Sequence, residues 1–142
     1  MNFEFSDAAR EIGAEARKVL EGRDARGGAR KVLNGAAPYD KDLWSLVASL
    51  GWLGAATPEA DGGLGGDHEA LCLMAQEIGR AGAALPFSSS VYCAIPALQQ
   101  YGSTAQKQQW LPALLAGGSR YVGAGAILYA VLRARGAPRA RR

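Results

Sequence analysis

Apolar residues recur at helical spacing through most of the chain. From Ser6 to Glu21 the stripe is Ile12, Ala16, Val19 and Leu20, with Ser6 placed to cap the helix, Asp7 in its first turn and Gly22 as a stop. Residues 22–39 carry only Val32 and Leu33 as apolar anchors among glycine, alanine and arginine, which predicts a connection with one helical turn. Asp40 then opens a clearer amphipathic helix with Leu43, Leu46, Val47 and Leu50 on one face and Gly51 at the position after the cap. Residues 51–66 hold six glycines and a proline and read as a loop. Asp67 starts the next helix, striped by Leu71, Met74, Ala75 and Ile78, with Arg80 in its last turn and Gly79 or Gly82 ending it.

Beyond Pro86, Ser88 to Ser90 offer caps to a helix through Val91, Ala94, Ile95, Leu98 and Tyr101, which Pro96 should kink. Ser103 and Gln106 form a capping box ahead of Trp110, Leu111, Leu114 and Leu115, and Pro112 is expected to split that segment into two short helices. No strand-like alternation of useful length occurs before Gly118, and no repeat recurs along the chain. The fold class expected is all-α, a multi-helix bundle.

Composition adds limits. With 142 residues, 49% hydrophobic and 20% charged, the chain can bury one core and has no room for a complete multi-domain enzyme. Its net charge of +3 suggests an anionic partner until the charges are located. Residues 1–118 carry 10 basic and 13 acidic side chains, whereas residues 119–142 carry six arginines and no acid. The basicity thus belongs to a tail, expected to be irregular or partly disordered, that lacks the interleaved aromatics of a base-stacking surface. No specific nucleic-acid binding is expected.

Two cysteines, Cys72 and Cys93, make no disulfide framework, and Glu4 and Asp7 stand where a signal peptide needs basic residues. A cytoplasmic protein with reduced thiols is expected. The run Tyr121 to Leu132 is too short for the ~20 residues of a membrane span. His68 lies four residues before Cys72, but two ligands do not make a metal site, so a solvated His68 beside a core-packed Cys72 is expected. The glycine run at 62–66 follows no strand and precedes no Lys-Ser or Lys-Thr pair, and GAGAIL at 123–128 lacks the third glycine of a dinucleotide fingerprint. Both read as turn chemistry.

The ordered segments carry a resemblance. WSLVASLGWLGAATPEADGGLGG at 44–66, QEIGRAGAALP at 76–86 and YGSTAQKQQWLPALLAG at 101–117 resemble the N-terminal domain of the acyl-CoA dehydrogenase family, over residues 4–120 or so. In physical terms the glycines at 51, 62, 63 and 65 can adopt unusual angles, and Trp110 with Leu111 anchors the last helix to the core. The resemblance implies a flavoenzyme that removes two hydrogens across the α,β carbons of an acyl-CoA thioester. FAD would be its cofactor and an electron-transferring flavoprotein its redox partner. It also implies that Ser90, Val91, Ala94 and Ile95 form part of the acyl-pocket wall.

After Gly118 the family pattern of a β strand, a Thr-Glu-Pro segment and a Gly-Ser-Asp turn has no counterpart, so no residue is expected to be catalytic. The division expected is a helical domain at 1–118 and a basic tail at 119–142. On the resemblance, the chain is a shortened or frame-shifted acyl-CoA dehydrogenase, inactive alone. The alternative is a non-catalytic helical subunit or interaction module.

Overall fold

A computed structural model describes residues 4–118. The tail, with its arginines, the Tyr121 to Leu132 run and the GAGAIL segment, lies outside the described residues. Within them there are six α-helices and no strand: α1 (Asp7–Glu21), α2 (Ala25–Leu33), α3 (Lys41–Ser49), α4 (His68–Ala81), α5 (Ile95–Tyr101) and α6 (Thr104–Leu115). Two short 3₁₀ turns, Trp52–Gly54 and Glu59–Asp61, punctuate the glycine-rich loop, and a π-helical stretch, Ser88–Ala94, runs directly into α5.

Local chemistry explains most of the starts. The side chains of Ser6, Asp40, Asp67 and Ser103 each accept a backbone N–H of the first turn, and Ser103 N–H in turn donates to Gln106 Oε1 at 2.8 Å. α2 is the addition that the pattern did not predict. Asp24 accepts from Gly27 N–H at 2.9 Å and so caps nine helical residues where one turn was expected. Apolar content gives no signal here because only Ala25 is buried, while Leu33 is 84% exposed.

Three other expectations are corrected. In α1 the buried face is Ala9, Gly13, Ala16 and Leu20, and Ile12 is exposed. Gly13 belongs to the core face because a Cβ there would sit 3.0 Å from Leu73 Cβ, so a glycine lets α1 and α4 approach closely. Pro112 does not split α6. Gln108, whose carbonyl loses its usual donor when residue 112 is proline, is exposed, so solvent can meet it, and Ala116 N–H still bonds Pro112 O at 3.0 Å. Trp110 faces outward from this helix, and Leu111 and Leu114 supply the buried contacts instead.

The core has two parts. The larger joins Leu20, Leu43, Val47 and Met74 from α1, α3 and α4 with Leu53 of the first 3₁₀ turn and, further along the chain, Phe87 and Val91. The smaller joins Ala94, Ile95, Leu98, Leu111 and Leu114 from α5 and α6. The turn Trp52–Gly54 sits where they meet, touching α3, α6 and the π stretch. Trp44 links the ends, its Nε1–H donating to Gly117 O at 2.9 Å in a buried bond.

Between α1 and α4 lies a buried carboxylate. Arg17 holds Glu77 through two bonds, Nε to Oε2 at 3.0 Å and Nη2 to Oε1 at 2.7 Å. Arg80 adds a bond to Oε2 at 2.6 Å and reaches Glu21 at 2.9 Å. The Arg17 hydrogen bond is the largest cause that lowers the Glu77 carboxyl to about 2 from its ordinary value of 4.5, against the opposing effect of burial. The stability this cluster contributes is therefore present above pH 4.5 and is lost as pH falls through about 2. Glu77→Gln should cost about 1–3 kcal/mol at neutral pH. The difference between wild-type and variant urea midpoints should then shrink as pH falls from 4.5 towards 2, and a pH-independent difference would show that the charge plays no part.

Candidate functional site

A groove of about 680 Å³ lies between the 3₁₀ turns, α4 and the π stretch with α5. Its apolar floor is Leu53, Ala56, Leu71, Val91 and Ile95. Thr57, Asp61, His68, Gln99 and Gln100 add polar groups, and Gln99 Nε2 donates to Asp61 Oδ2 at 3.2 Å. An apolar floor with a few polar groups is the usual construction of a small-molecule site.

The backbone explains the placement. Pro96 has no N–H to offer the helix, and the seven residues Ser88–Ala94 ahead of it are wound as the wider π form, with Ile95 N–H bonding Ser90 O. Ser88 to Ser90 do not cap this helix as the sequence suggested: no side chain caps its start, and Ser89 Oγ donates to Pro86 O at 3.0 Å. The widened turn brings positions 91, 92, 95, 96, 99 and 100 onto the groove.

Of the four sequence-derived wall residues, Val91 and Ile95 line the groove. Ser90 and Ala94 are buried but do not line it, and Ala94 packs in the smaller core. Sequence reasoning missed Leu53, Thr57, Leu71 and Tyr92. Tyr92 is tied across the groove, its hydroxyl donating to Leu71 O at 2.8 Å and its ring meeting Phe87 edge-on at 6.2 Å. Burial, with a smaller effect from Cys72, pushes the Tyr92 phenol up, so it stays a neutral donor at ordinary pH.

His68 is exposed at the groove, but Cys72 is exposed as well, not core-packed as expected. Position 72 follows Leu71 and turns to the solvent side of α4 while Leu71 turns inward. A second hollow of about 380 Å³ near Arg23, Lys31 and Lys41 also contains Asp24, Asp40 and Asp42. Its charges are mixed, and Asp24 and Asp40 are engaged as helix caps. No helix among the described residues is long and apolar enough to cross a membrane.

Six helices without a strand, among the described residues, make this an all-α helical domain by class, with a groove on one flank. The chain belongs to the acyl-CoA dehydrogenase family: the family model for the acyl-CoA dehydrogenase N-terminal domain matches residues 6–118. It is 36% identical over 89 residues to the mitochondrial isovaleryl-CoA dehydrogenase of Solanum tuberosum, covering 61% of this chain and 21% of that protein. It is 29% identical over 111 residues to acyl-CoA dehydrogenase FadE27 of Mycobacterium tuberculosis, covering 78% and 30%.

Among solved structures, the Tcur3481-Tcur3483 steroid ACAD matches with a TM-score of 0.67 and 30% identity, over 83% of this chain and 31% of that one. The ChsE4-ChsE5 complex from Mycobacterium tuberculosis matches in fold with a TM-score of 0.69 at 24% identity, over 83% and 30%. The chain therefore spans between a fifth and a third of the length of these relatives.

Proposed function

We propose that residues 4–118 form one wall of the acyl-binding site of an acyl-CoA dehydrogenase, with Val91 and Ile95 against the acyl group and Ser90 and Ala94 supporting them from behind. The observation that carries this reading is the groove itself, apolar along its floor and ringed by Asp61, His68, Gln99 and Gln100. Such a lining suits an amphiphile, because its alkyl part leaves water while its polar part keeps hydrogen-bonding partners.

FAD, the cofactor implied by the family, is not held by this groove alone, whose lining contains no lysine or arginine to meet a pyrophosphate. No hydride or proton step is assigned to the described residues. Their role is to bind, to orient and to keep water from the acyl chain, within an assembly that supplies the base and the flavin contacts. Electron-transferring flavoprotein would be the redox partner of that assembly. The two-component names of the related solved structures support a companion subunit, and the exposed thiols Cys72 and Cys93 suit a reducing compartment such as the cytoplasm.

Ala56 is half-buried in the groove, so a bulky residue there fills the cavity from its rim. Titration calorimetry of octanoyl-CoA into the full chain should show binding that Ala56→Phe weakens by about tenfold or more. Far-ultraviolet circular dichroism should stay unchanged. Equal affinity in a folded variant, or no binding by wild type, overturns the reading.

A further inference from the structure

We infer that the ring of Tyr92 is the stop that limits how long an acyl chain the groove accepts, an inference that rests on the acyl reading of that groove. The lining positions on the π stretch and α5 run from Val91 and Tyr92 at one end to Gln99 and Gln100 at the other. Seven residues at helical rise separate Tyr92 from Gln99, a span of about 10 Å. The two ends differ in chemistry.

At the far end, Gln99 pairs with Asp61 and Gln100 is alongside, so the hydrogen-bonding groups gather there. At the near end, Tyr92 leaves its own helix and crosses to α4, where its hydroxyl donates to Leu71 O at 2.8 Å. Leu71 and Tyr92 both line the groove, so this bond joins two of its walls. The Phe87 ring, 3% exposed, meets Tyr92 at 72° and backs it from the core side. Tyr92 is 39% exposed, but its ring is braced edge-on by the buried Phe87, a contact that does not need the hydroxyl, so the ring has few rotamers left and can stand as a barrier where an unbraced side chain would swing aside.

An amphiphile is oriented by these ends. Its polar group lies toward Asp61 and Gln99, and its alkyl chain runs over Ile95 and Val91 until it meets the Tyr92 ring. An octanoyl chain fills this span, whereas a hexadecanoyl chain overruns it.

Affinities of butanoyl-, octanoyl- and hexadecanoyl-CoA for the full chain, measured by titration calorimetry, test the assignment. Wild type should prefer octanoyl-CoA. Tyr92→Ala should raise the affinity for hexadecanoyl-CoA relative to octanoyl-CoA by about tenfold, and Tyr92→Trp should move the preference towards butanoyl-CoA. Tyr92→Phe keeps the ring and removes only the hydroxyl, so it should retain the wild-type order. The tryptophan and phenylalanine variants keep an aromatic ring in place and maintain the test if the alanine variant unfolds. Wild-type binding with no length preference, or a folded Tyr92→Trp variant with unchanged order, overturns the role of Tyr92 alone. A Tyr92→Phe variant that relaxes the length limit overturns the ring as the stop. No binding of any acyl-CoA by wild type overturns instead the acyl reading on which the inference rests.

Discussion

Trp44→Ala is expected to lower the unfolding free energy by about 3–5 kcal/mol, the range for removing a large aromatic ring from a packed interior. Trp44 is 2% exposed, stands edge-on to Tyr39 with ring centroids 6.5 Å apart, and donates its indole N–H to Gly117 O. Truncation leaves a cavity and also strips the Gly117 carbonyl of its donor. Little relaxation can refill the space, because Gly117 is held at a φ of +73° against Trp44 and Ala48. Trp44→Phe separates the two effects by retaining most of the ring, and should cost about 1–3 kcal/mol through the lost hydrogen bond. Urea midpoints at neutral pH give both values. Equal losses for the two variants would mean that the hydrogen bond, not the cavity, dominates.

The second large effect is expected at Gly63. A Cβ at this position would lie 2.1 Å from Thr57 O and 2.3 Å from Thr57 Cβ. Thr57 is buried, and its carbonyl already accepts Gly65 N–H at 2.8 Å, so it cannot retreat without breaking the loop. Gly63→Ala should therefore cost about 3 kcal/mol, at the upper end of overpacking effects. Gly79 is the control: it lies in α4, exposed, with open space where a methyl group would go and no positive φ. Gly79→Ala should stabilise the chain by about 0.5–1 kcal/mol, because alanine loses less backbone entropy in a helix. Matching midpoints for the two variants would exclude close packing at Gly63.

This contrast shows what a sequence discloses about glycine. Gly51, Gly62 and Gly65 have positive φ values, as a loop dense in glycine suggests, but Gly63 does not. Its requirement is the approach of Thr57, which no local pattern contains. The same limit explains the helices. Ser6, Asp40, Asp67 and Ser103 each act on an N–H group within the next turn, so their effect is legible in the residues themselves. Ile12 and Trp110 have the spacing of core residues, but which side of a helix is buried depends on its neighbour: α4 meets α1 at Gly13, and α5 meets α6 at Leu111 and Leu114.

The groove is legible only in part for a related reason. Spacing of three and four residues makes Val91, Ala94 and Ile95 one stripe, and an ordinary α-helix would keep them together. Across the π stretch Val91 and Ile95 reach the groove with Tyr92, Ile95 from within the smaller core, while Ala94 packs in that core without reaching the groove. Pro96 signals disturbed winding, but a proline by itself does not distinguish a kink from a widened turn. Leu53, Thr57 and Leu71 come from segments distant in sequence, and only folding brings them to Tyr92.

The bond between Trp44 and Gly117 also bears on the order in which the molecule is made. A chain emerging from its N-terminus has every residue of the larger core once Val91 has been added. The indole N–H of that core nevertheless has its acceptor at residue 117, 73 positions after Trp44 and beyond the end of α6. Helices α1 to α4 can associate earlier, but their central tryptophan is not satisfied in its native manner until the last helix has been synthesised and closed. A single hydrogen bond thus makes completion of the first-made half wait for the last-made one.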